Sequence, residues 1–211
     1  EFHKYWERID IISPKIKNQR SKIKNIFDNV FIHPSPWPLI LQPFWILKKG
    51  QKIYGEQKFD LMTVHEYPPF YNGIGARMLW GKIKVPYILE IHHIVGYPKA
   101  ADLRERLYRW LTRAFIKYDS SKAKAVRVVN QRQVPEFLIE AGVPKEKIIY
   151  IPSLYIDLDI FRPMDLEKRY DLIFVGRLVK NKGIDLFLEA VKRLDCKAAI
   201  IGDGPLKEKI K

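Results

Sequence analysis

A chain of 211 residues, 47% of them hydrophobic and 13% aromatic, has material for a packed core, which excludes an intrinsically disordered protein. A formal net charge of +14 and a pI near 9.7 point to anionic partners: a polyanion, an anionic lipid surface or a phosphorylated small molecule. The single cysteine, Cys196, excludes an intramolecular disulfide, no Cys/His spacing suits a metal site, and no apolar run approaches the roughly eighteen residues that cross a bilayer.

Short β-branched runs recur along the chain: IDIIS (9–13), NVFIH (29–33), DLMTVH (60–65), PYILEIH (86–92), AVRVV (125–129) and KIIYI (147–151). They are apolar almost throughout rather than alternating, the pattern of strands covered on both faces. Between the second and third, WPLILQPFWIL (37–47) reads as a core-packed helix, or else as a lip for a lipid or glycolipid. HEYPPFYNGIG (65–75) ends a strand and leads into a helix. Leu103, Leu107, Trp110, Leu111, Ala114 and Phe115 repeat at three and four, predicting an amphipathic helix over 100–117. Gln133 to Ala141 is a further helix, closed by Gly142 and Pro144.

Strands alternating with helices predict a parallel α/β sheet. After Pro152 the stretch SLYIDLDIFRPMDLEKRY has no period, and strand, loop, helix and strand begin again at 170–202. The expected organisation is a domain over 1–152, a linker over 153–169 and the start of a second domain over 170–211. A domain of about forty residues cannot cover a sheet on both faces, so the chain is expected to be part of a longer protein. Cys196 is expected to be a small core residue.

In YDLIFVGRLVKNKGIDLFLEAV (170–191) an apolar strand ends in Gly-Arg, and a Lys-Gly pair opens the next helix. Loops at the carboxyl ends of parallel strands line the ligand crevice. Gly176 lets backbone approach a ligand, Arg177 offers a planar fork of donors, and Lys182 adds a second cation beside a helix amino end. Together they can clasp a diphosphate. The following strand ends in GDGP, whose Gly202 and Gly204 again allow close backbone approach, and pairing with the neighbouring strand would set this loop beside the first.

FVGRLVKNKGIDLFLEAVKRL followed by AAIIGDGPLKEKI resembles the second domain of the retaining glycosyltransferases of family four, which have the GT-B fold. GVPKEKIIYIPSLYIDLDIFRP resembles their interdomain linker, with Ser153-Leu154-Tyr155 in place of the usual Asn-Gly. The resemblance implies a Rossmann-like acceptor domain and the opening of a Rossmann-like donor domain. It implies a hexosyltransferase working with retention on a UDP- or GDP-linked sugar, with no metal and no further cofactor. It assigns the donor diphosphate to Arg177 and Lys182, and close backbone approach to Gly176, Gly202 and Gly204. RIDIIS resembles the family's second strand, so a first strand and its glycine-rich loop are expected ahead of this sequence. The rest of the donor domain is expected beyond it, and the chain alone is expected to be inactive.

His92 ends a strand at the point where the family carries a histidine near the transferred sugar. Transfer in that family is described as front-face, with the leaving phosphate assisting acceptor deprotonation, so His92 is expected to position and stabilise charge. His93 beside it, and His65, Glu66, Tyr67 and Asn72, are acceptor-side candidates, with Asn130 and Gln131 as weaker ones. Arg106, Arg109, Arg113 and Lys117 form a basic stripe beside an apolar one, which suits contact with an anionic membrane as well as a solvated face. The expected partners are a nucleotide sugar and a saccharide or lipid-linked acceptor, with no nucleic acid, in the cytoplasm or at the membrane's cytoplasmic face. Asp157-Leu158-Asp159 falls in the linker and is not expected to bind a metal. A GT-B-like epimerase of nucleotide sugars, or a basic nucleic-acid-binding protein, are the alternatives.

Overall fold

A computed structural model describes residues 2–15, 24–100, 102–153, 156–165 and 167–210. Leu154 and Tyr155, the departure from the linker pattern, lie outside the described residues. The chain divides into two compact units, Glu1–Leu154 and Tyr155–Lys211.

In the first unit β1 (Ile9–Ser13) pairs in parallel with β3 (Val30–Pro34), whose other edge carries the antiparallel β2 (Lys24–Ile26). A second sheet runs in the order β4 (Met62–His65), β5 (Tyr87–Ile91), β6 (Ala125–Val128), β7 (Ile148–Tyr150), parallel throughout. The six apolar runs of the sequence are the six parallel strands. β2, Lys-Asn-Ile, has no apolar run of its own and owes its conformation to the ladder on β3.

Four helices cover these sheets: α1 (Gln42–Glu56), α2 (Tyr71–Ile83), α3 (Leu103–Ser120) and α4 (Gln133–Glu140). Asp102 starts α3 by accepting the amide of Glu105 at 2.8 Å. The core gathers Tyr87, Leu89 and Ile91 of β5, Val126 and Val128 of β6, Ile116 of α3 and Phe137 and Leu138 of α4, none more than 2% exposed. α1 and α2 pack through glycine notches. A Cβ at Gly50 would lie 2.3 Å from a Leu79 methyl, and one at Gly75 would lie 2.8 Å from Ile46.

Two apolar segments are less buried than their patterns predict. On α3 the packed face centres on Thr112, Ile116 and Asp119, with Phe115 stacked on Phe70. Leu103 (79% exposed), Leu107, Trp110 (64%) and Ala114 lie on the outer side. The packed face carries polar Thr112, Asp119 and Ser120 around Ile116, so the apolar repeat does not mark it. In 37–47, Gln42, Pro43 and Ile46 are buried, whereas Leu39, Ile40, Leu41 and Phe44 are exposed.

The amino end of α2 sits on a buried carboxyl pair. Glu66 follows β4 and is 4% exposed; Asp119, in the last turn of α3, is fully buried. A Cβ at Gly73 would lie 2.2 Å from Glu66 Oε2 and 2.6 Å from Asp119 Oδ2, so both oxygens press on one point. Burial, and then the Asp119 charge, push the Glu66 carboxyl up to about 8, against the amides of Gly73 and Tyr67. Burial raises Asp119 to about 7, against the pull of Arg77. Two carboxyls so placed keep at least one proton near neutral pH.

The second unit pairs β8 (Leu172–Val175) with β9 (Ala198–Ile201) in parallel, joined by α5 (Ile184–Val191) and followed by α6 (Lys207–Ile210). Leu178 and Ile184 are buried, but Ile173, Val175, Leu186 and Ile201 remain exposed. Cys196 is half-buried rather than in a core.

Both carboxyl pKa values are raised by folding, so the pair's contribution to stability is present below about pH 4 and is lost as pH rises to about 8. Glu66→Gln replaces the unpartnered Oε2 by a donor facing Asp119. Its melting temperature relative to wild type is expected to rise between pH 5 and 8; parallel curves would contradict the buried pair. Gly73→Ala drives a methyl into both carboxyls and is expected to cost on the order of 1–3 kcal/mol in a denaturant titration.

Candidate functional site

In the first unit the carboxyl ends of β4, β5 and β6 carry a row of charged and imidazole side chains. Parallel register sets His65 beside Glu90, and Glu90 beside Arg127. His92 lies two residues beyond Glu90 and shares its side of the strand. The His65 and His92 rings meet edge to face, centroids 4.5 Å apart. His92 Nε2 stands 3.5 Å from Glu90 Oε2 and is buried without a hydrogen bond. The same Glu90 oxygen accepts from Arg127 at 2.9 Å. Arg127 also donates to Ser153 Oγ at 2.9 Å and to the Pro152 carbonyl at 3.3 Å. Burial, and then the neighbouring His92, hold the His65 imidazole below its usual pKa.

Glu90 and Arg127 are absent from the sequence-derived candidates. Their signal was a lone charge inside each of two apolar strands, one residue before the strand's end in both. His65, Glu90 and His92 each offer a donor atom within 4.8 Å of the others. An ion held by bonds of about 2.0–2.2 Å would need them drawn closer. Glu90 already has its cation in Arg127.

The other acceptor-side candidates divide. Tyr67 is exposed, its ring 5.9 Å from His65. His93 is exposed and lines, with Glu66 and Tyr67, a cavity of about 10 Å³, room for roughly one water. Glu66 faces inward onto Asp119 rather than meeting a sugar hydroxyl, because the turn into α2 folds it under Gly73. Asn72 donates from Nδ2 to the His65 carbonyl at 3.0 Å, tying α2 to the end of β4. Asn130 Oδ1 accepts the Val134 amide at 3.0 Å and so caps α4. Gln131 is exposed. Asp157 Oδ1 accepts the amides of Asp159 and Ile160, closing a turn.

In the second unit the two glycine loops lie side by side. The Gly176 amide bonds to Ile201 O at 3.0 Å, and the Leu178 amide to Asp203 O at 2.9 Å. A Cβ at Gly202 would lie 1.9 Å from Gly176 O, and one at Gly204 2.6 Å from Leu178 O. These two glycines therefore let one loop touch the other. A Cβ at Gly176 would meet nothing closer than the Phe174 ring at 3.7 Å, which leaves that side of the residue open. Arg177 and Lys182 are exposed, and among the described residues neither side chain has a hydrogen bond or ion pair. Gly183, in the left-handed region at φ 72°, turns the chain from Lys182 into α5, whose first amides are free.

The basic stripe of α3 is partly committed. Arg109 donates to the carbonyls of Gly96 and Pro98, and Arg113 pairs with Glu140 at 2.8 Å. Arg106 and Lys117 are exposed, alongside Leu103, Leu107 and Trp110. Among the described residues no helix is long and apolar enough to cross a membrane.

The profile of Glycosyltransferase Family 4 matches residues 8–154, and that of Glycosyl transferases group 1 matches 158–211. An uncharacterized glycosyltransferase of Methanocaldococcus jannaschii is 26% identical over 212 residues, covering 97% of this chain and 55% of the relative. The alpha-D-kanosaminyltransferase of Streptomyces kanamyceticus is 27% identical over 161 residues, 65% of this chain and 39% of the relative. Anabaena HepE, solved with UDP and glucose and again with UDP-glucose, superposes with TM-scores of 0.62 and 0.61 at 13% and 14% identity. Each superposition covers 96% of this chain and 63% of HepE. The chain thus spans little more than half the length of its first curated relative. The fold is GT-B, and with the first profile covering residues 8–154 the chain belongs to Glycosyltransferase Family 4.

Proposed function

We propose that the protein transfers a hexose from a UDP- or GDP-linked donor, with retention, onto a saccharide or lipid-linked acceptor. The observation that carries this reading is the pair of apposed loops after β8 and β9. Their exposed Arg177 and Lys182 have no protein partner among the described residues, and they flank an open glycine and a helix start. A cation without an internal partner, beside free amides, is a phosphate receptor. HepE was solved with UDP-glucose, which supports a nucleotide sugar as the anion.

In the proposed reaction the acceptor oxygen bonds to the anomeric carbon as the bond to the departing phosphate oxygen breaks. The acceptor's proton passes to that phosphate. Arg177 and Lys182 neutralise the charge growing on the diphosphate, a task that needs no metal when two cations and helix amides are in place. His92 orients the sugar, and Tyr67 and His93 face the acceptor. The exposed Leu107 and Trp110, beside Arg106 and Lys117, support docking on anionic lipid, at the cytoplasmic face if the acceptor is lipid-linked.

Calorimetric titration of UDP, GDP and ADP into the full-length protein is expected to show one nucleotide binding. The Arg177→Ala/Lys182→Ala variant is expected to lose at least about tenfold in affinity. Equal binding by the folded variant would remove the diphosphate role of this loop. Cosedimentation with phosphatidylglycerol vesicles is expected to fall in Trp110→Ser and to be unchanged on neutral vesicles; loss from neither would place the stripe in solvent.

A further inference from the structure

Arg127 does two things at once. One arm of its guanidinium donates to Glu90 Oε2 at 2.9 Å; the other reaches Ser153 Oγ at 2.9 Å and Pro152 O at 3.3 Å. The Arg127 and Glu90 side chains keep only 19% and 20% of their surface in solvent. Screening of the pair is therefore weaker than at an exposed site. Past Tyr150 the chain is still tied to β6 through the Ile151 amide on Val128 O. Beyond that, Arg127 supplies the hydrogen bonds at Pro152 and Ser153, the last described residues before the second unit.

The Glu90 oxygen that Arg127 holds also stands 3.5 Å from His92 Nε2. His92 Nε2 has no hydrogen bond and sits out of solvent, with the His65 ring edge-on beside it. With no hydrogen bond of its own at Nε2, the ring is biased in orientation and protonation by the charge of the carboxylate 3.5 Å away. A shift of the guanidinium moves that carboxylate, and with it the imidazole. The linkage runs from Ser153 through Arg127 and Glu90 to His92, each step a contact of named atoms.

We infer that Arg127 is a positioning residue that couples the orientation of His92, through Glu90, to the segment by which the chain leaves the first unit. A change at Pro152–Ser153 is thereby felt at His92. A guanidinium is suited to this because its rigid planar fork holds donors on two nitrogens in fixed directions, whereas an ammonium is a compact point charge with freely rotating donors. The coupling stands whatever His92 acts on; only its kinetic consequence rests on the glycosyltransferase reading above.

The test uses the full-length protein labelled with ¹⁵N-histidine, with the His92 ring signal assigned by its loss in His92→Gln. Arg127→Met and Ser153→Ala are both expected to shift the His92 ring nitrogens and change the tautomer ratio, and Arg127→Lys to restore part of the change. A merely structural ion pair predicts that Ser153→Ala leaves His92 unmoved. Where transfer is measured, Arg127→Met is expected to lower kcat by on the order of tenfold to a hundredfold while donor KM changes little. Unmoved His92 signals in Ser153→Ala and in Glu90→Gln, both folded, overturn the coupling even if Arg127→Met fails to fold. Moved signals without any transfer would instead count against the glycosyltransferase reading and leave the coupling standing.

Discussion

Parallel pairing of β4, β5 and β6 sets residue 65 beside 90 and 90 beside 127, and the first unit's crevice depends on that register. A slip of one residue would turn Glu90 and Arg127 toward the face where Tyr87, Leu89, Ile91, Val126 and Val128 are buried. An unpaired charge there would cost several kcal/mol, so the core enforces the alignment of the site. The same alternation puts His92 on the Glu90 side of the chain and frees it from the apolar layer. The core and the candidate site are two faces of one hydrogen-bonded ladder.

Polar groups at the sheet ends are arranged to the same purpose. Asp10 takes Arg8 at 2.7 Å and His33 at 2.6 Å. Burial pushes the Asp10 carboxyl up, but those two donors together bring it below its usual pKa. Glu66 and Asp119 lack such cations in direct contact, and burial keeps them toward the protonated side. Tyr87 donates its hydroxyl to the Asp119 carbonyl, linking the last turn of α3 to β5 beneath the histidines. The turn from β4 into α2 is thus held from below by carboxyls and from above by Asn72 on the His65 carbonyl. Tyr67 projects from a braced segment.

The net charge of +14 has no single seat. Arg8, Arg109, Arg113 and Arg127 are tied to carboxylates or carbonyls and act as struts. Arg177 and Lys182 make no such bond among the described residues, and Arg106 and Lys117 lie beside an exposed apolar stripe. Cations without internal partners are the ones free to meet an external anion. Among them, Arg177 and Lys182 lie by the two glycine loops, and Arg106 and Lys117 lie beside exposed apolar side chains of α3.

The amino-acid sequence by itself marked the six parallel strands of the first unit, because short β-branched apolar runs separated by helical patterns suit strands covered on both faces. It also determined the glycine loops around Arg177 and Lys182, because Gly-Arg and Lys-Gly at a strand–helix turn are local signals that need no distant partner. Tertiary structure alone decided which face of α3 meets the core, since that face carries polar Thr112, Asp119 and Ser120 around Ile116 and no apolar repeat announces it. Only tertiary structure paired Glu90 with Arg127, thirty-seven residues apart, and turned Glu66 from the crevice onto Asp119. It likewise gave Gly202 and Gly204 their role, which is loop against loop. Strand register and helix rotation are set by the summed burial of many distant residues, and no local window of sequence contains that sum.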